Sequence, residues 1–456
     1  MINLDSIMQD CQRRVVSQCN IPAISLSVWF DGELHQIASG ILNVITRLEA
    51  SPDSVFQIGS ITKVMTTCLV MQLVDEGKVD LDTPVKHYLK DFILADAKAT
   101  EIITVRQLLN HTSGMMGDFF PDDQGHEGNL VARYLDRCNL LPLVHAPSTL
   151  YSYSNSAFVI AGRLVEVVRG ISWYQAMENY IFKPLGMNHA LADPKELVRY
   201  RAAMGHIRNG GTWQLSPQTW LPLGMAPCGS TPTMRASDLI LFARAHLEGG
   251  NTVSGQSWLA KSSLQAMQYR EIALPQTCQN IYRYSGLGWA IREYQPEGRL
   301  VYGHIGATNG FYSSLQICPD KNAAFAVLIN GAAPAALEAI QNNLIKEVFG
   351  IEPAAELAID HSVTPTLTQR LVVGRYESMD KAIVIREEGS QLVAHLEYKI
   401  DLMPSEELKL YPITDECYAC ETLDGTRRSN WAFLMGSDPE STPIHLFDGS
   451  RLNPRC

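Results

Sequence analysis

Phe56-Gln57-Ile58-Gly59-Ser60-Ile61-Thr62-Lys63 is the stretch on which the reading of this chain turns. It sets a hydroxyl one helical turn ahead of an amine, at the mouth of an apolar run that includes Val64, Met65, Cys68, Leu69, Val70, Met71, Leu73 and Val74. Residues three apart share a helix face, so the Lys63 amine can reach the Ser60 oxygen. A helix N-terminus also favours negative charge on that oxygen. These are the requirements of an activated serine nucleophile. A helix that is apolar nearly all round and stops at Gly77 belongs inside a domain. S-x-x-K decides nothing by itself, because Ser378-Met379-Asp380-Lys381 repeats it in a polar stretch with no apolar helix behind it. That copy reads as surface.

Outward from Ser60, 24–30 and 33–40 form two β-rich runs around Asp31-Gly32, a hairpin signal. Helices are expected at 105–109, 157–169, 173–181 and 237–246, followed by strands at 288–293, 299–304, 313–318 and 323–329 and a closing amphipathic helix at 334–348. Strands at both ends with helices between predict an α+β domain: an antiparallel sheet flanked by helices, with a mostly helical insertion. Residues 350–368 hold prolines and no strong period, and read as a linker. Beyond them the period changes to two, with short strands at 382–386, 391–398, 407–413, 431–435 and 444–447. A small all-β barrel or sandwich follows from that spacing. The expected division is 1–350, a linker 351–368, and a β-rich domain 369–456.

The bulk numbers exclude several classes. A chain of 456 residues exceeds what one core usually serves. A net charge of -11 argues against nucleic acid or an anionic membrane as partner. The N-terminus lacks the apolar core of a secretory signal, and no run is long enough to span a bilayer, so the expectation is cytoplasmic. The ten cysteines are scattered, as reduced thiols would be. Cys417-Tyr-Ala-Cys420 is a close pair with no second Cys/His pair at zinc spacing, so neither metal nor cofactor is expected.

Three further elements bear on Ser60. Tyr153-Ser154-Asn155 sets a phenol beside an amide, a proton acceptor and a substrate hydrogen bond; the alternative is that Ser154 or Asn155 caps the next helix. His304-Ile305-Gly306-Ala307 ends a strand-like run. A small residue there allows close backbone approach to a ligand, and a strand N–H is half of an oxyanion hole. The alternative is a hairpin end with a solvated histidine. His126-Glu-Gly128 has the same form in a loop with no strand before it. Leu108-Leu-Asn-His111-Thr-Ser-Gly114 marks a helix end, with His111 read as a structural hydrogen-bonding residue.

In this order the elements resemble the serine β-lactamase and penicillin-binding-protein superfamily, in its class C β-lactamase-like branch. Phe182-Lys-Pro-Leu-Gly-Met187, Ala236-Ser-Asp-Leu239 and Gly286-Leu-Gly-Trp289 add to the match, which covers about residues 20 to 350. The resemblance implies Ser60 as nucleophile, Lys63 and Tyr153 as its base system, and Asn155 holding the substrate amide. It implies an oxyanion hole from the N–H groups of Ser60 and Ala307, with Gly306 beside it at the substrate. His304 would stand where β-lactamases usually carry the lysine of K-T-G. Histidine holds positive charge less firmly near neutral pH, which disfavours β-lactams and favours esterase or peptidase chemistry. The C-terminal part resembles the lipocalin-like modules of some relatives.

The expected function is therefore a serine hydrolase cleaving small peptide-like amides, esters or thioesters through a Ser60 acyl-enzyme. One alternative is acyl transfer to an amine, as in penicillin-binding-protein-type thioesterases that cyclise nonribosomal peptides. Another is a non-catalytic peptide binder. A carrier protein and a second copy of the chain are the macromolecular partners this reading allows. Arg451 and Arg455, near a strand end, read as surface cations, with a substrate carboxylate as the other reading.

Overall fold

A computed structural model describes residues 4–13, 20–121, 128–277, 281–355, 357–366, 369–399, 405–423, 425, 427–435 and 442–456. The first hairpin forms as expected, from β1 (Ala23–Phe30) and β2 (Glu33–Gly40). Phe30 pairs with Glu33, so the turn is two residues long, and Asp31 and Gly32 both take positive φ, 52° and 81°. That geometry matches the twist of the strands it joins.

Two short pairs follow: β3 (Phe56–Gln57) with β6 (Thr233–Met234), and β4 (His206–Asn209) with β5 (Thr212–Leu215). The sheet is then completed by β7 (Ile272–Ala273), β8 (Ile281–Ser285), β9 (Ala290–Tyr294), β10 (Arg299–Thr308), β11 (Phe311–Cys318) and β12 (Ala323–Ile329). Its order is β2-β1-β12-β11-β10-β9-β8-β7, antiparallel throughout, and β1 lies against β12 from Ile24↔Ile329 to Trp29↔Ala324. The sheet thus uses both ends of the segment, as the α+β reading requires.

Alternation along the central strands feeds two cores. Ile24, Leu26, Val28, Phe325 and Val327 pack against the helices Leu4–Arg13 and Pro334–Phe349. Ala326 and Leu328 face the larger core around the helices Thr62–Asp75, Asn155–Arg169 and Ala236–Leu247. The helix expected at 173–181 is α-helical only over Trp173–Met177 and continues as a π-helical turn, Glu178–Phe182. The strand expected to end at 304 runs on to Thr308. β9 pairs with β10 only up to Gly303, whereas β11 pairs with it to Thr308. Residues 304–308 therefore present a free strand edge.

Residues 351–355 and 357–366 carry no helix or strand. Beyond them lie β13 (Gly374–Glu377), β14 (Lys381–Glu388), β15 (Gln391–Tyr398), β16 (Glu406–Pro412), β17 (Cys417–Thr422), β18 (Arg427–Leu434), β19 (His445–Phe447) and β20 (Leu452–Pro454), each antiparallel to the next. A bridge between Tyr376 and Arg455 brings the last strand back to the first, so the sheet curls into a nearly closed barrel rather than a sandwich. Tyr376, Tyr418, Trp431 and Phe433 fill its interior.

The second S-x-x-K is not surface. Ser378 is 8% exposed and bonds Asp380, and Lys381 reaches Asp448 at 2.5 Å. The stretch reads as polar, but its charges find partners, Lys381 in Asp448, inside the contact between the barrel and loops of the first domain. Met116 and Val144 meet Phe447 and Leu452 in the same contact. His126 lies outside the described residues. Cys68, Cys138, Cys228, Cys318 and Cys456 form no disulfide, Cys417 and Cys420 are buried, and among the described residues no helix is long and apolar enough to cross a membrane.

Candidate active site

Ser60 sits in a 3-10 turn, Gly59–Ile61, that runs straight into the helix Thr62–Asp75. No side chain caps either start, so the N-terminal N–H groups face the turn without an internal carboxylate or hydroxyl spent on them. Gly59 takes φ +53°, and a Cβ there would lie 2.7 Å from the Ala307 nitrogen. The absence of a side chain is what lets β10 come up beside Ser60. Gly306 serves the same approach: a Cβ would lie 1.9 Å from the Ile58 carbonyl oxygen. The close neighbour of Gly306 is thus the chain's own backbone, with Ser313 Oγ donating to that same carbonyl at 2.7 Å.

Lys63, wholly buried, donates to Ser60 Oγ at 2.9 Å and to the Cys228 carbonyl at 2.8 Å. Its amine stands 4.9 Å from the Tyr153 ring centre and 5.8 Å from that of Phe158. Burial pulls its pKa down to about 8; the Cys228 thiol and Asp118 hold it up, and the Arg451 guanidinium pushes it further down. Burial drives the Tyr153 phenol up, although a hydrogen bond with Ser60 pulls the other way. Tyr153 is therefore a protonated phenol at rest.

Ser154 caps the helix Asn155–Arg169, its hydroxyl accepting from the Ala157 N–H at 3.1 Å. Capping by Ser154 leaves Asn155 free for the cavity, where its Nδ2 donates to Asp118 Oδ1 at 2.7 Å. His111, at φ +62°, accepts the Ser154 N–H on Nδ1 at 3.0 Å and stacks on Tyr153 with ring centres 4.4 Å apart. It orients the phenol, in line with its structural reading. His304 is buried rather than solvated, 6.1 Å from Tyr153 ring to ring, with Nδ1 2.7 Å from the Ile305 carbonyl. Burial, then the Lys63 charge, hold its pKa down to about 3, so it is a neutral imidazole.

Ser60, Tyr153, Asn155, His304 and Ala307 all line one cavity of about 600 Å³. That size suits a small peptide or drug-sized ligand. Two further cavity residues were invisible as such in the sequence, and a third was read chiefly as surface. Asp118 lies in a loop with no motif around it. Arg451 reads as a surface cation, yet it reaches from the barrel between β19 and β20, ion-pairs with Asp118 and stands 4.9 Å over the Tyr153 ring. Asp380 arrives with the second S-x-x-K. The barrel is thereby one wall of the site, and the Ser450 carbonyl accepts the Tyr153 N–H at 3.0 Å.

The beta-lactamase family model matches residues 4–349. Penicillin-binding protein 4 of Amycolatopsis lactamdurans is 37% identical over 333 residues, which cover 73% of this chain and 86% of that protein. The unguisins hydrolase ungD' of Aspergillus campestris is 28% identical over 69% of this chain and 60% of its own. Among solved structures, SurE superposes with a TM-score of 0.79 at 25% identity over 99% of both chains, and it has also been solved with D-Leu. The serine–lysine turn, the free strand edge beside it and these matches lead to one conclusion: the chain belongs to the beta-lactamase family.

Proposed function

We propose that the protein is an SxxK serine hydrolase that forms an acyl-enzyme on Ser60 from the amide or ester bonds of small peptide-like substrates, D-configured ones among them. The 2.9 Å bond between the buried Lys63 amine and the Ser60 hydroxyl carries this reading. With a pKa near 8, part of the amine is neutral at physiological pH and can accept the hydroxyl proton as Ser60 attacks the carbonyl carbon. The oxyanion that forms is met by the N–H groups of Ser60 and Ala307. Collapse breaks the bond to the leaving group, which takes its proton through Tyr153, the phenol bonded to the same hydroxyl. Water then attacks the acyl ester by the reverse route, returning the proton to Ser60. Asn155 has two amide hydrogens and gives one to Asp118, so the other can hold a substrate amide. Neutral His304 offers a hydrogen bond rather than a charge, which weighs towards ester and peptide substrates and away from β-lactams.

A second reading keeps the acyl-enzyme and replaces water by an amine, as in thioesterases that cyclise peptides. It is favoured by the barrel wall: Asp380, Tyr398, Ser450 and Arg451 add an enclosed side to the cavity where an acceptor can rest. The full-length likeness to SurE, solved with D-Leu, supports it. A carrier protein presenting a thioester, and assembly with further copies of the chain, belong to this reading.

Intact-mass analysis after mixing with D- and L-peptide esters, amides and thioesters tests both readings. An acyl adduct on Ser60 is expected, with free acid as product for the hydrolase and cyclic or ligated peptide for the transferase. Absence of an adduct from every substrate, and of labelling by a fluorophosphonate, would leave a peptide-binding homologue. The rate of acylation should rise about tenfold per pH unit from pH 6 and level off near pH 8, because the reactive form is the neutral amine. No second limb is expected near pH 6.5, since His304 stays neutral throughout. A profile governed by a group at 6.5 would reject this assignment.

A further inference from the structure

Asp380 is a carboxylate of the cavity that the reaction above leaves unused. It stands in the turn between β13 and β14 and lines the cavity from the barrel side. The turn is held on each side. The Ser378 N–H donates to the Lys381 carbonyl at 2.9 Å, and the Asp380 carbonyl accepts the Lys399 N–H at 2.7 Å. The Met379 N–H reaches Met116 Sδ at 3.0 Å, across the contact with the first domain. The Ser378 hydroxyl donates to Asp380 Oδ1 at 2.5 Å. A carboxylate accepts at about four lone-pair positions, so most of its capacity stays open.

The cations around it are engaged elsewhere. Lys381 Nζ lies 2.5 Å from Asp448, and Lys399 Nζ lies 2.5 Å from Glu377 and 2.7 Å from the Ser378 carbonyl. Arg451 pairs with Asp118, and Asp448 acts on it more strongly than Asp380 does. Among the described residues Asp380 forms no ion pair. Tyr398 lines the same wall, directly across β14 and β15 from Lys381, and an aromatic ring attracts a cation to its face. The groups whose charge acts on Lys63 are Cys228, Arg451 and Asp118. Asp380 acts instead on Asp118, Lys381 and Arg451. It therefore stands further from the reacting centre than Asp118 does, and a group held there belongs to a part of the ligand removed from the bond that breaks.

We infer that Asp380, with Tyr398 beside it, forms a subsite for one cationic group of a peptide-like substrate, an ammonium or guanidinium carried away from the scissile bond on a basic side chain or a remote amino terminus. The inference rests on the proposed peptide chemistry of the site, and makes Asp380 a specificity-determining residue rather than a member of the reacting groups. The group it holds is distinct from the attacking amine of an acyl transfer, which has to be neutral and at Ser60. A fixed carboxylate facing an ammonium or guanidinium forms the stronger, charge-assisted kind of hydrogen bond.

The test uses the full chain with Ser60→Ala, so that binding is read without turnover. Calorimetry would compare N-acetylated Ala-Ala-Ala-Leu amides, with L- or D-leucine, in which each alanine in turn is replaced by lysine or by norleucine. The unsubstituted peptide with a free amino terminus is set against its acetylated form. At least one pair should favour the charged partner about tenfold, the usual worth of one hydrogen bond to a charged group. A lysine pair assigns the subsite to a side chain, and the terminal pair assigns it to an amino terminus. Asp380→Asn keeps an acceptor for Ser378 and should bring that ratio to about one, with the affinity of the neutral peptide unchanged; Asp380→Glu should keep part of it. No preference for charge in any pair, an equal preference at every position, or one that survives Asp380→Asn would overturn the subsite. Adduct formation on unaltered Ser60 reports separately on the acyl-enzyme reading, so either can fail alone.

Discussion

Lys63→Met should abolish acylation of Ser60 while leaving the protein as stable as before or more so. General-base assistance accounts for about 10²–10⁴ in rate, and here no other group can supply it. Tyr153 is held protonated by burial, and His304, although neutral, turns one ring nitrogen to the Ile305 carbonyl. The stability half of the expectation follows from the same burial. Lys63 has no exposed surface, and the desolvation that lowers its pKa to about 8 is a cost the folded state carries whenever the amine is charged. A methionine of similar length fills the space without that cost, whereas alanine would leave a cavity. Stopped-flow acylation and thermal denaturation at pH 7 measure the two halves. Full turnover in Lys63→Met would remove the serine–lysine mechanism. A collapse in stability with proportionate loss of activity would mean that the lysine is structural.

Arg451→Met should destabilise the protein by about 3 kcal/mol, the lower end for breaking a buried ion pair, since the Arg451 side chain keeps 24% of its surface and Asp118 only 8%. The loss comes from leaving the Asp118 carboxylate buried with only the Asn155 amide as partner. Asp118→Asn in the same chain should recover most of that stability, because the orphaned charge is then gone. Activity should not recover with it. Asn155 takes its position from Asp118, and Tyr153 lies under the guanidinium at 4.9 Å, so both cavity neighbours lose a support that lies in the barrel. Urea unfolding of the two single variants and the double variant, with kcat and KM for each, gives the coupling directly. Additive effects on stability would show that the pair is not formed in solution.

The contact between Ser60 and Lys63 was legible because its geometry is local: a helix repeat sets their spacing, and the apolar run behind them marks a buried helix. The β1–β2 hairpin was legible for the same reason, in Asp31-Gly32. What escaped detection depends on distant partners. Ser378 to Lys381 looks like solvated surface when read alone. Paired with Asp448 and packed under Met116, it is interior. β10 looked finished at His304, because Gly306 weakens the strand pattern; the close approach of Ile58 is what needs that glycine.

By itself the sequence determined the α+β arrangement, the β-rich C-terminal part, and the order of Ser60, Lys63, Tyr153, Asn155 and His304, since periodicity and short motifs are properties of neighbouring residues. Only the tertiary structure decided that the β-rich part closes as a barrel, that its Arg451 enters the cavity, and that His304 is neutral there. Each of these depends on what surrounds a group from far along the chain: a burial, an opposing charge, a strand that returns.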